Sequence, residues 1–578
     1  MTRLFNNPVA FADEALAGFV AANRQYVRAV DGGVVRASKI PAGQVGVVVG
    51  GGSGHYPAFA GLVGPGLASG SACGNMFASP SAGQVVRVSQ AVDRGAGVLL
   101  TFGNYAGDVL NFGQAQQRLA AAGIDARIVA VTDDIASGSV DEIAKRRGIA
   151  GDLTVFKVAG AASEAGSNLD EVERLANLAN DRTRSLGVAF TGCTLPGAAD
   201  ELFTVPEGMM SLGLGIHGEP GISEMPIPTA DELADLLVDR LLAERPQGAT
   251  DRVVPILNGL GSVKYDELFV LFGAVSRRLE AAGLTIIAPE CGELVTSLDM
   301  AGVSLTLFWP DAELETLWTA PADTPAFRTG SIERELDTDA ASAAGRVDLR
   351  GAAAESAAHR AASPVGLSIL VAVKEMILDS EEEFGLIDAI AGDGDHGIGM
   401  SRGVSGAVDA AQKVVDDGAG ISALLIEAGD GWAEHAGGTS GALWGNALQA
   451  AGRTLGEAEV LDAAAVSDAV AAALAAMRAL GKAEVGDKTM IDAFSPFAET
   501  LAARVSAGDE LGDAWAAAAE AATAAAAATA ELRPRLGRAR PLAEKSIGHP
   551  DAGAVSLARI AATVATSAFS TDSKGVTP

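Results

Sequence analysis

The sequence predicts a multidomain protein in which an α/β part is followed by an almost wholly helical part. Strand-like runs alternate with helical patterns up to about residue 330, and such alternation indicates a largely parallel sheet covered by helices. After residue 365 apolar residues recur every three or four positions, which is typical of helices packed on one another. A length of 578 residues is also too great for one ordinary hydrophobic core.

Composition excludes several classes of protein. The formal net charge of −31 is spread along the chain, which argues against nucleic acid or an anionic membrane as partner because both carry negative charge. No uninterrupted apolar run reaches the roughly 18 residues of a membrane helix, and the N-terminus lacks the pattern of a signal peptide. The three scattered cysteines have no metal-type spacing. We therefore expect a cytoplasmic protein without a membrane partner.

Five apolar runs in the first half are predicted to be strands, and each leads into a glycine-rich or acidic turn. They cover residues 45–49, 97–102, 126–131, 153–158 and 253–257. Open α/β sheets bind ligands beyond the carboxyl ends of their strands. Polar residues in these turns are therefore the first candidates for a site. A helix is predicted after the last turn, over residues 265–282.

Three polar positions in the first half have such a setting. Residues 50–55 read Gly-Gly-Gly-Ser-Gly-His, and the exposed backbone N–H groups of such a loop can bind anionic or hydroxyl-rich ligands. His55, at the end of this loop, fits a structural loop histidine as well as a functional one. Asp108 lies just beyond a predicted strand. His217 is surrounded by glycines within residues 215–221, which leaves room for a ligand, so we interpret it as functional.

Residues 386–400 contain three aspartates within eight positions, Asp388, Asp393 and Asp395, interleaved with glycines. Glycine lets the backbone fold sharply, so the three carboxylates can converge on one point. Hard oxygen ligands of this kind suit Mg²⁺. A bare Asp-Gly-Asp also fits an acidic surface turn, whereas the calcium-loop pattern with its distal glutamate is missing. The apolar residues before the glycines predict a helix that ends where they begin.

Further glycine-marked turns interrupt the helical half. Residues 437–441 read Gly-Gly-Thr-Ser-Gly and offer N–H and hydroxyl donors to a phosphate at a helix N-terminus. Turns at 486–490 and 546–553 follow, and Arg538 is suited to a charge-assisted contact with a nucleotide. Residues 513–532 are so rich in alanine that propensity alone predicts a helix.

Three motifs of the first half resemble, in the same order, those of the substrate half of the dihydroxyacetone kinase family. They are residues 50–55, the Asn-Tyr-Ala-Gly-Asp at 104–108 and the Gly-Ile-His-Gly-Glu-Pro-Gly at 215–221. The resemblance covers about residues 1–330 and implies a ketose-binding domain of two α/β subdomains. It also implies that the histidine matching His217 forms a covalent hemiaminal with the substrate ketone, while the matches of His55 and Asp108 handle the proton of the phosphorylated hydroxyl. The substrate-binding positions that it implies are Gly52, Ser53, Gly54, His55, Asp108 and His217.

The helical half resembles the nucleotide-binding half of the same family, over about residues 365–570 and after a linker at 331–364. The resemblance implies an all-α helical barrel in which Asp388, Asp393 and Asp395 hold two Mg²⁺ ions on ATP. The nucleotide-binding positions that it implies are His396, Gly397, Ile398, Gly399, Thr439, Ser440, Gly481, Met490, Arg538, Asp551, Ala552 and Gly553. Both halves in one chain resemble the ATP-dependent members rather than those fed by a phosphotransferase system, and we expect a homodimer.

The chain departs from the common family pattern at three positions in the substrate half. Tyr56, Phe59 and Gly103 stand where that pattern has a glutamate, a histidine and, in many members, a lysine. The pocket is therefore reshaped although the three catalytic side chains are kept. We expect ATP-dependent phosphorylation of a terminal hydroxyl of a short ketose, either erythrulose or dihydroxyacetone. The alternatives are a ketose-binding regulator without turnover and a side activity that cleaves FAD by cyclisation.

Overall fold

The computed structural model of the chain describes residues 2–332, 356–392, 394–536 and 543–569. The chain divides into two compact units, Met1–Arg346 and Val347–Pro578. Asp393 and Arg538, a predicted metal ligand and a predicted nucleotide contact, lie outside the described residues. Most of the predicted linker at 331–364 does so as well.

The first sheet of the N-terminal unit has six strands. They are β1 Val27–Val30, β2 Gly33–Arg36, β3 Gly46–Ser53, β4 Gly70–Met76, β5 Val98–Gly103 and β6 Ala126–Val131. Their order in the sheet is β1-β2-β4-β3-β5-β6, in which β4, β3, β5 and β6 run parallel and β1 and β2 form an antiparallel edge. Because β3 and β5 are parallel neighbours, the segments that follow them begin at the same edge of the sheet. These segments carry His55 and Asp108.

The second sheet has seven strands and is mainly antiparallel. Its strands are β7 Thr183–Ala189, β8 Met209–Leu212, β9 Ser223–Pro226, β10 Arg252–Gly259, β11 Thr285–Ile286, β12 Glu290–Gly292 and β13 Gly302–Phe308. Their order is β11-β10-β13-β7-β8-β9, with β12 also paired to β10. The prediction of a largely parallel sheet is confirmed for the first sheet and wrong for the second. Loops without a helix join β7, β8 and β9, and such connections pair strands antiparallel.

Eight helices cover these two sheets. They are α1 Phe11–Ala22, α2 Ala82–Val92, α3 Ala106–Ala121, α4 Asp152–Glu164, α5 Leu169–Asp181, α6 Ala230–Ala243, α7 Tyr265–Ala281 and α8 Ala312–Thr319. A small hairpin, β14 Ala322–Asp323 with β15 Arg328–Thr329, follows them. The helix predicted over 265–282 is confirmed as α7.

The prediction of a strand at 153–158 is wrong, because these residues belong to α4. Every residue of α4 from Asp152 to Ser163 is buried. A helix buried on all sides has no polar face to show the 3.6-residue period, so a short apolar segment of it resembles a buried strand.

The described residues of the C-terminal unit form helices and no strand. The helices are α9 Ala357–Asp379, α10 Glu381–Asp388, α11 His396–Asp416, α12 Ile421–Ala436, α13 Gly438–Glu457, α14 Ala463–Gly481, α15 Ile491–Ser506, α16 Leu511–Ala528, α17 Ala543–Ser546 and α18 Ala552–Phe569. From α11 to α16 each helix packs against the next, α18 packs against both α16 and α9, and α9 packs against α11. This closed ring is the expected helical barrel.

Two features of this unit differ from what the sequence pattern suggested. Helix α9 begins at Ala357, inside the segment predicted as linker. Three helices, α9, α14 and α18, are long and apolar enough to cross a membrane by length and composition, although charged residues interrupt their apolar runs. Residues from all three belong to the hydrophobic core of the unit. The absence of a membrane partner stays a prediction.

Candidate active site

The glycine-rich segment before His55 belongs partly to strand β3, which continues through Ser53. A β-carbon at Gly52 would lie 2.7 Å from the backbone nitrogen of Ala78, so only glycine lets β3 approach the segment after β4 this closely. Gly54 adopts a φ of +102°, which side chains disfavour, and turns the chain after β3. The His55 ring that follows is buried.

His55 is held by contacts on both ring nitrogens. Its Nδ1 lies 2.7 Å from the carbonyl oxygen of Thr296, and its Nε2 lies 3.0 Å from Nε2 of His217. The Phe77 ring stacks on His55 with the ring centroids 4.9 Å apart. Only 2% of His55 is exposed. The structure therefore brings together the two histidines that the sequence singled out 162 positions apart.

A chain of charges supports His217 from the other side. Its Nδ1 lies 3.1 Å from Oε1 of Glu219, and its backbone N–H donates to Oε2 of the same carboxylate at 3.1 Å. Arg147 lies 3.6 Å from Glu219 and also binds Asp134 at 2.8 Å. Although burial opposes ionisation, His217 and Arg147 hold the pKa of Glu219 far below its ordinary value. Glu219 is therefore an anion that fixes the imidazole of His217.

The hydrogen-bond partners determine where the protons of the two rings lie. A carbonyl oxygen only accepts, so Nδ1 of His55 donates to Thr296, and Nδ1 of His217 donates to Glu219. The two facing Nε2 atoms then need one proton between them. Burial and the neighbouring His217 lower the pKa of His55 to about 3. The shared proton accordingly belongs to His217, and Nε2 of His55 accepts it.

Asp108 lies in the first turn of α3 and is 8% exposed. Burial raises the pKa of its carboxyl to about 7, although the hydroxyl of Ser79 hydrogen-bonds it and lowers the value. Among the described residues, Oδ1 of Asp108 has no hydrogen-bond partner, and no hydrogen bond joins Asp108 to His55. A buried carboxyl with a free oxygen and a pKa near neutrality is suited to take a proton from a bound hydroxyl.

The acidic loop of the helical unit is organised around Asp388, the last residue of α10. Its Oδ2 accepts the N–H of Gly394 at 2.9 Å, and a β-carbon at Gly392 would lie 2.3 Å from its Oδ1. Asp395, an exposed residue, follows at the start of α11, and the Asp388 carboxylate raises its pKa. The expected helix that ends at the glycines is confirmed.

The two described carboxylates of this loop suit a hard cation, because their mutual repulsion is relieved by positive charge. Among the described residues, however, no group of three acidic, histidine or cysteine side chains forms a ligand cluster. The third predicted ligand, Asp393, lies outside them.

The starts of α11 and α18 lie side by side. His396, the first residue of α11, is buried, and its Nε2 lies 2.9 Å from Oγ of Ser556 in α18. Asp551 precedes α18 and accepts the N–H of Ala554 at 2.8 Å. Burial, with help from Asp492 and Asp388, raises the pKa of Asp551 to about 7. Two helix N-termini therefore lie beside the acidic loop, and their dipoles favour an anionic group such as phosphate.

The remaining predicted nucleotide positions lie on several helix ends. A β-carbon at Gly553 would lie 3.3 Å from Cε of Met490, so this buried methionine contacts the loop at the start of α18. Thr439 and Ser440 open α13, as expected for a turn at a helix N-terminus. Gly481 is the last residue of α14. Positions 397–399 belong to α11, and Ala552 is the first residue of α18.

Sequence reasoning missed the residues that support both sites. In the first unit these are Thr296 and Phe77, which contact His55, and Arg147, which contacts Glu219; they come from separate loops and left no local signal. Glu219 stands two residues after His217 inside a recognised motif, and that proximity was the available signal. In the second unit Asp492 accepts the N–H groups of the turn at 486–490, from Gly486 at 2.6 Å and Thr489 at 2.8 Å.

Comparison with known proteins agrees with this arrangement. The Dak1 domain model matches residues 17–326 and the DAK2 domain model matches residues 390–566. The chain is 56% identical over 564 residues to L-erythrulose kinase of Pectobacterium atrosepticum, covering 97% of this chain and 95% of the relative. It is 54% identical over 571 residues to D-erythrulose kinase of Mycolicibacterium smegmatis, covering 98% of each.

A solved structure extends the comparison to the whole chain. The crystal structure of the dihydroxyacetone kinase from C. freundii in complex with AMP-PNP and Mg²⁺ matches with a TM-score of 0.52 at 30% identity, covering 98% of this chain and 99% of that chain. Both domain models and near-complete relatives thus match one polypeptide. The chain belongs to the dihydroxyacetone kinase family, in its single-chain, ATP-dependent form.

Proposed function

We propose that this protein is an erythrulose kinase, which transfers the terminal phosphoryl group of ATP to a terminal hydroxyl of a four-carbon ketose. The observation that carries the proposal is the array of His55, His217 and Glu219. A histidine whose Nδ1–H is fixed by a carboxylate, and whose Nε2 faces a base, is arranged to add to a carbonyl carbon. The identity of the two bacterial relatives supports the choice of a tetrose.

The covalent step follows from the proton positions. The proton shared by the two Nε2 atoms moves to the carbonyl oxygen as the lone pair on Nε2 of His217 attacks the ketone carbon C2. A C–N bond forms, the carbonyl π bond breaks onto oxygen, and that oxygen keeps the shared proton. The ring of His217 keeps its positive charge, which the Glu219 carboxylate 3.1 Å away balances. Reversal of the same steps releases the product.

The covalent bond accounts for selectivity between classes of substrate. A polyol such as glycerol has no carbonyl carbon, so it cannot be held by His217. Asp108, with its free Oδ1 and its pKa near 7, takes the proton of the terminal hydroxyl as that oxygen becomes the nucleophile.

The helical unit supplies the groups that would hold ATP. Asp388 and Asp395, with Asp393 as the third member of the motif, would bind Mg²⁺, which neutralises charge on the phosphates when bound. The N-termini of α11 and α18 orient backbone N–H groups toward an anion. These residues bind and position the donor rather than react.

The test uses the full-length protein with ATP, Mg²⁺ and four substrates: D-erythrulose, L-erythrulose, dihydroxyacetone and glycerol. We expect ADP release with the ketoses, a kcat/KM for one erythrulose enantiomer about tenfold or more above that for dihydroxyacetone, and none with glycerol. With ketose labelled with ¹³C at C2, His217→Ala should lose the signal of the tetrahedral carbon on the protein. His549→Ala, which changes an exposed histidine, is the matched control.

Other outcomes would point to the alternatives. Ketose binding without ADP release by the wild-type protein would favour a regulator. Cyclisation of FAD without phosphorylation of any ketose would favour the lyase. A ketose that binds with its C2 remaining a carbonyl would contradict the covalent role of His217. A homodimer in the cytoplasm stays a prediction.

A further inference from the structure

Asp152 is a buried carboxyl that the mechanism above does not use. It is the first residue of α4, is 2% exposed, and its Oδ1 has no hydrogen-bond partner among the described residues. Burial raises its pKa well above the ordinary value, and its acidic neighbours Asp133 and Asp108 raise it further. A buried acid without a cationic or hydrogen-bonding partner is costly to the fold, so its presence calls for an explanation.

The neighbouring Asp133 shows how a structural buried carboxylate is satisfied in the same region. It is 0% exposed, and its two oxygens accept the N–H groups of Ile149 at 2.9 Å and Gly151 at 2.8 Å. Those two hydrogen bonds fix the loop before α4. Because Asp133 already performs this structural task, Asp152 is not needed for it.

Asp152 lies beside the ketose site. A β-carbon at Gly103 would lie 3.4 Å from Oδ2 of Asp152 and 3.2 Å from Cε2 of Tyr105. The Tyr105 ring in turn packs edge-on against His217, with centroids 4.8 Å apart. The Asp152 carboxyl and the Tyr105 ring thus pack closely around Gly103, together with the carbonyl oxygen of Gly148 at 3.2 Å from the same position, one ring away from His217.

Three buried polar atoms of neighbouring groups in this region lack hydrogen-bond partners among the described residues. They are Oδ1 of Asp108, Oδ1 of Asp152 and the hydroxyl oxygen of Tyr105. One such atom can be a local imperfection, but a group of three beside the nucleophile indicates a site whose partners come from a ligand. Asp108 is assigned to the phosphorylated hydroxyl, which leaves Asp152 for another polar group of the same substrate.

We propose that Asp152 is a specificity-determining residue, which hydrogen-bonds the hydroxyl that a tetrose carries beyond a triose. This inference rests on the proposed ketose kinase function. A neutral carboxyl both donates and accepts a hydrogen bond, as a hydroxyl requires. A triose leaves that carboxyl unpaired in a buried site, and unpaired buried groups discriminate strongly against the smaller substrate.

The experiment compares full-length variants on erythrulose and dihydroxyacetone. Asp152→Ala should lower kcat/KM for erythrulose about tenfold or more, mainly through KM, and change that for dihydroxyacetone less than about threefold. Asp152→Asn, which keeps a donor and an acceptor, should retain most of the preference. Gly103→Ala, whose added carbon meets its neighbours at 3.2 to 3.4 Å, should reduce the preference without removing the carboxyl.

A matched control lies in the same helical turn. The hydroxyl of Thr154 is buried and bonds the carbonyl of Gly151 and the hydroxyl of Thr183, both at 2.8 Å. Thr154→Val should lower stability and leave the ratio of the two kcat/KM values unchanged. If Asp152→Ala does not fold, Asp152→Asn and Gly103→Ala decide the matter.

The outcomes separate this inference from the proposed function. If the wild-type protein phosphorylates neither ketose, the proposed function fails. If it prefers erythrulose but the Asp152 and Gly103 variants lower both activities by the same factor, only the inference is overturned. An Asp152→Asn variant as unselective as Asp152→Ala would likewise contradict a hydrogen-bonding role.

Discussion

The two candidate sites of this chain differ in how far their groups are exposed. In the N-terminal unit the reactive groups are buried, and His55 and Asp108 are 2% and 8% exposed. In the helical unit His396 is buried too, but Asp395 is exposed, and Ile398 beside the acidic loop is 44% exposed. Burial gives the first site control over protonation and substrate shape. Open helix ends give the second site N–H groups and space for a charged nucleotide.

The electrostatics of the two sites differ in the same way. The histidine pair has its balancing charges within the protein, in the chain from Glu219 through Arg147 to Asp134. In the helical unit the Asp388 carboxylate instead raises the pKa of both Asp395 and Asp551, so a bound cation would stabilise the charged forms of these carboxyls. Disruption of the second site should therefore reduce phosphoryl transfer, while disruption of the first should also alter which substrate is held.

The largest expected effect on turnover is that of Asp388→Asn in the helical unit. Loss of a carboxylate that holds Mg²⁺ on the transferring phosphate should lower kcat by about 10²–10³. The tetrahedral carbon signal of labelled ketose on His217 should persist. Asp416→Asn, at the exposed end of α11, is the control. Near wild-type turnover in saturating Mg²⁺ would exclude Asp388 as a ligand.

Asp108→Asn should lower kcat/KM for the ketose by about 10². Because the pKa of Asp108 is about 7, the ionised base accumulates as pH rises, and wild-type kcat/KM should rise through that pH. The variant should lose this part of the pH profile. A profile for Asp108→Asn that rises like that of the wild-type protein would assign the titration to another group.

Ionisation of Asp108, which should raise activity, should lower the stability of the fold. Since burial raises the folded-state pKa of Asp108 above its ordinary value of 3.8, ionisation destabilises the fold increasingly between about pH 4 and 7. Asp108→Asn should accordingly melt at a higher temperature than the wild-type protein at pH 8, with little difference at pH 4. Activity and stability at this position should therefore move in opposite directions.

What the sequence could predict differs between the two units for a physical reason. In the helical unit the candidate residues cluster in short segments at helix ends, so local motifs contain most of them. In the buried site the supporting groups come from distant segments: Thr296 lies 241 positions from His55, and Arg147 reaches Glu219 across 72 positions. Contacts of this kind leave no spacing to recognise, which is why only the glycine-flanked residues were found.

Asp152 illustrates a second cause of failure. Residues 153–158 were predicted to form a strand, and that prediction gave no reason to single out the residue before it. The segment is the start of α4, so its first residue lies at a helix N-terminus beside the end of β5. Without a polar face on α4, neither the helix nor the unpaired carboxyl could be recognised from the apolar pattern.

Glu219→Gln should have a smaller effect on turnover than the substitutions above. An amide can still bond Nδ1 of His217 but no longer balances a positive ring, so the hemiaminal should be less stable. We expect kcat/KM for ketoses to fall about tenfold, with a weaker tetrahedral carbon signal and unchanged affinity for ATP. Loss of kcat with a full signal would show that Glu219 acts after the adduct forms.

The smallest effect on catalysis, and the sharpest contrast with the first unit, is expected at His359. This histidine is 4% exposed, its Nε2 lies 3.0 Å from the carbonyl oxygen of Leu455, and its Nδ1 lies 2.7 Å from Oγ of Ser356. One nitrogen thus bonds the residue before α9, and the other joins α9 to α13. His359→Leu should leave kcat and KM unchanged but destabilise this contact by about 1–3 kcal/mol, because polar partners lose their hydrogen bonds.

Hydrogen exchange gives the appropriate measurement, because a chain of two units need not unfold in one step. In His359→Leu, amides in α9 and at the end of α13 should exchange faster, while those in the sheets of the N-terminal unit keep their protection. His549→Leu, at an exposed histidine, should change neither. If His359→Leu lost turnover while the α9 amides kept their full protection, this histidine would act in the reaction, like His55 and His217, and not in stabilising the fold. Buried histidines would then be functional in both units, and the contrast between the two sites would fail.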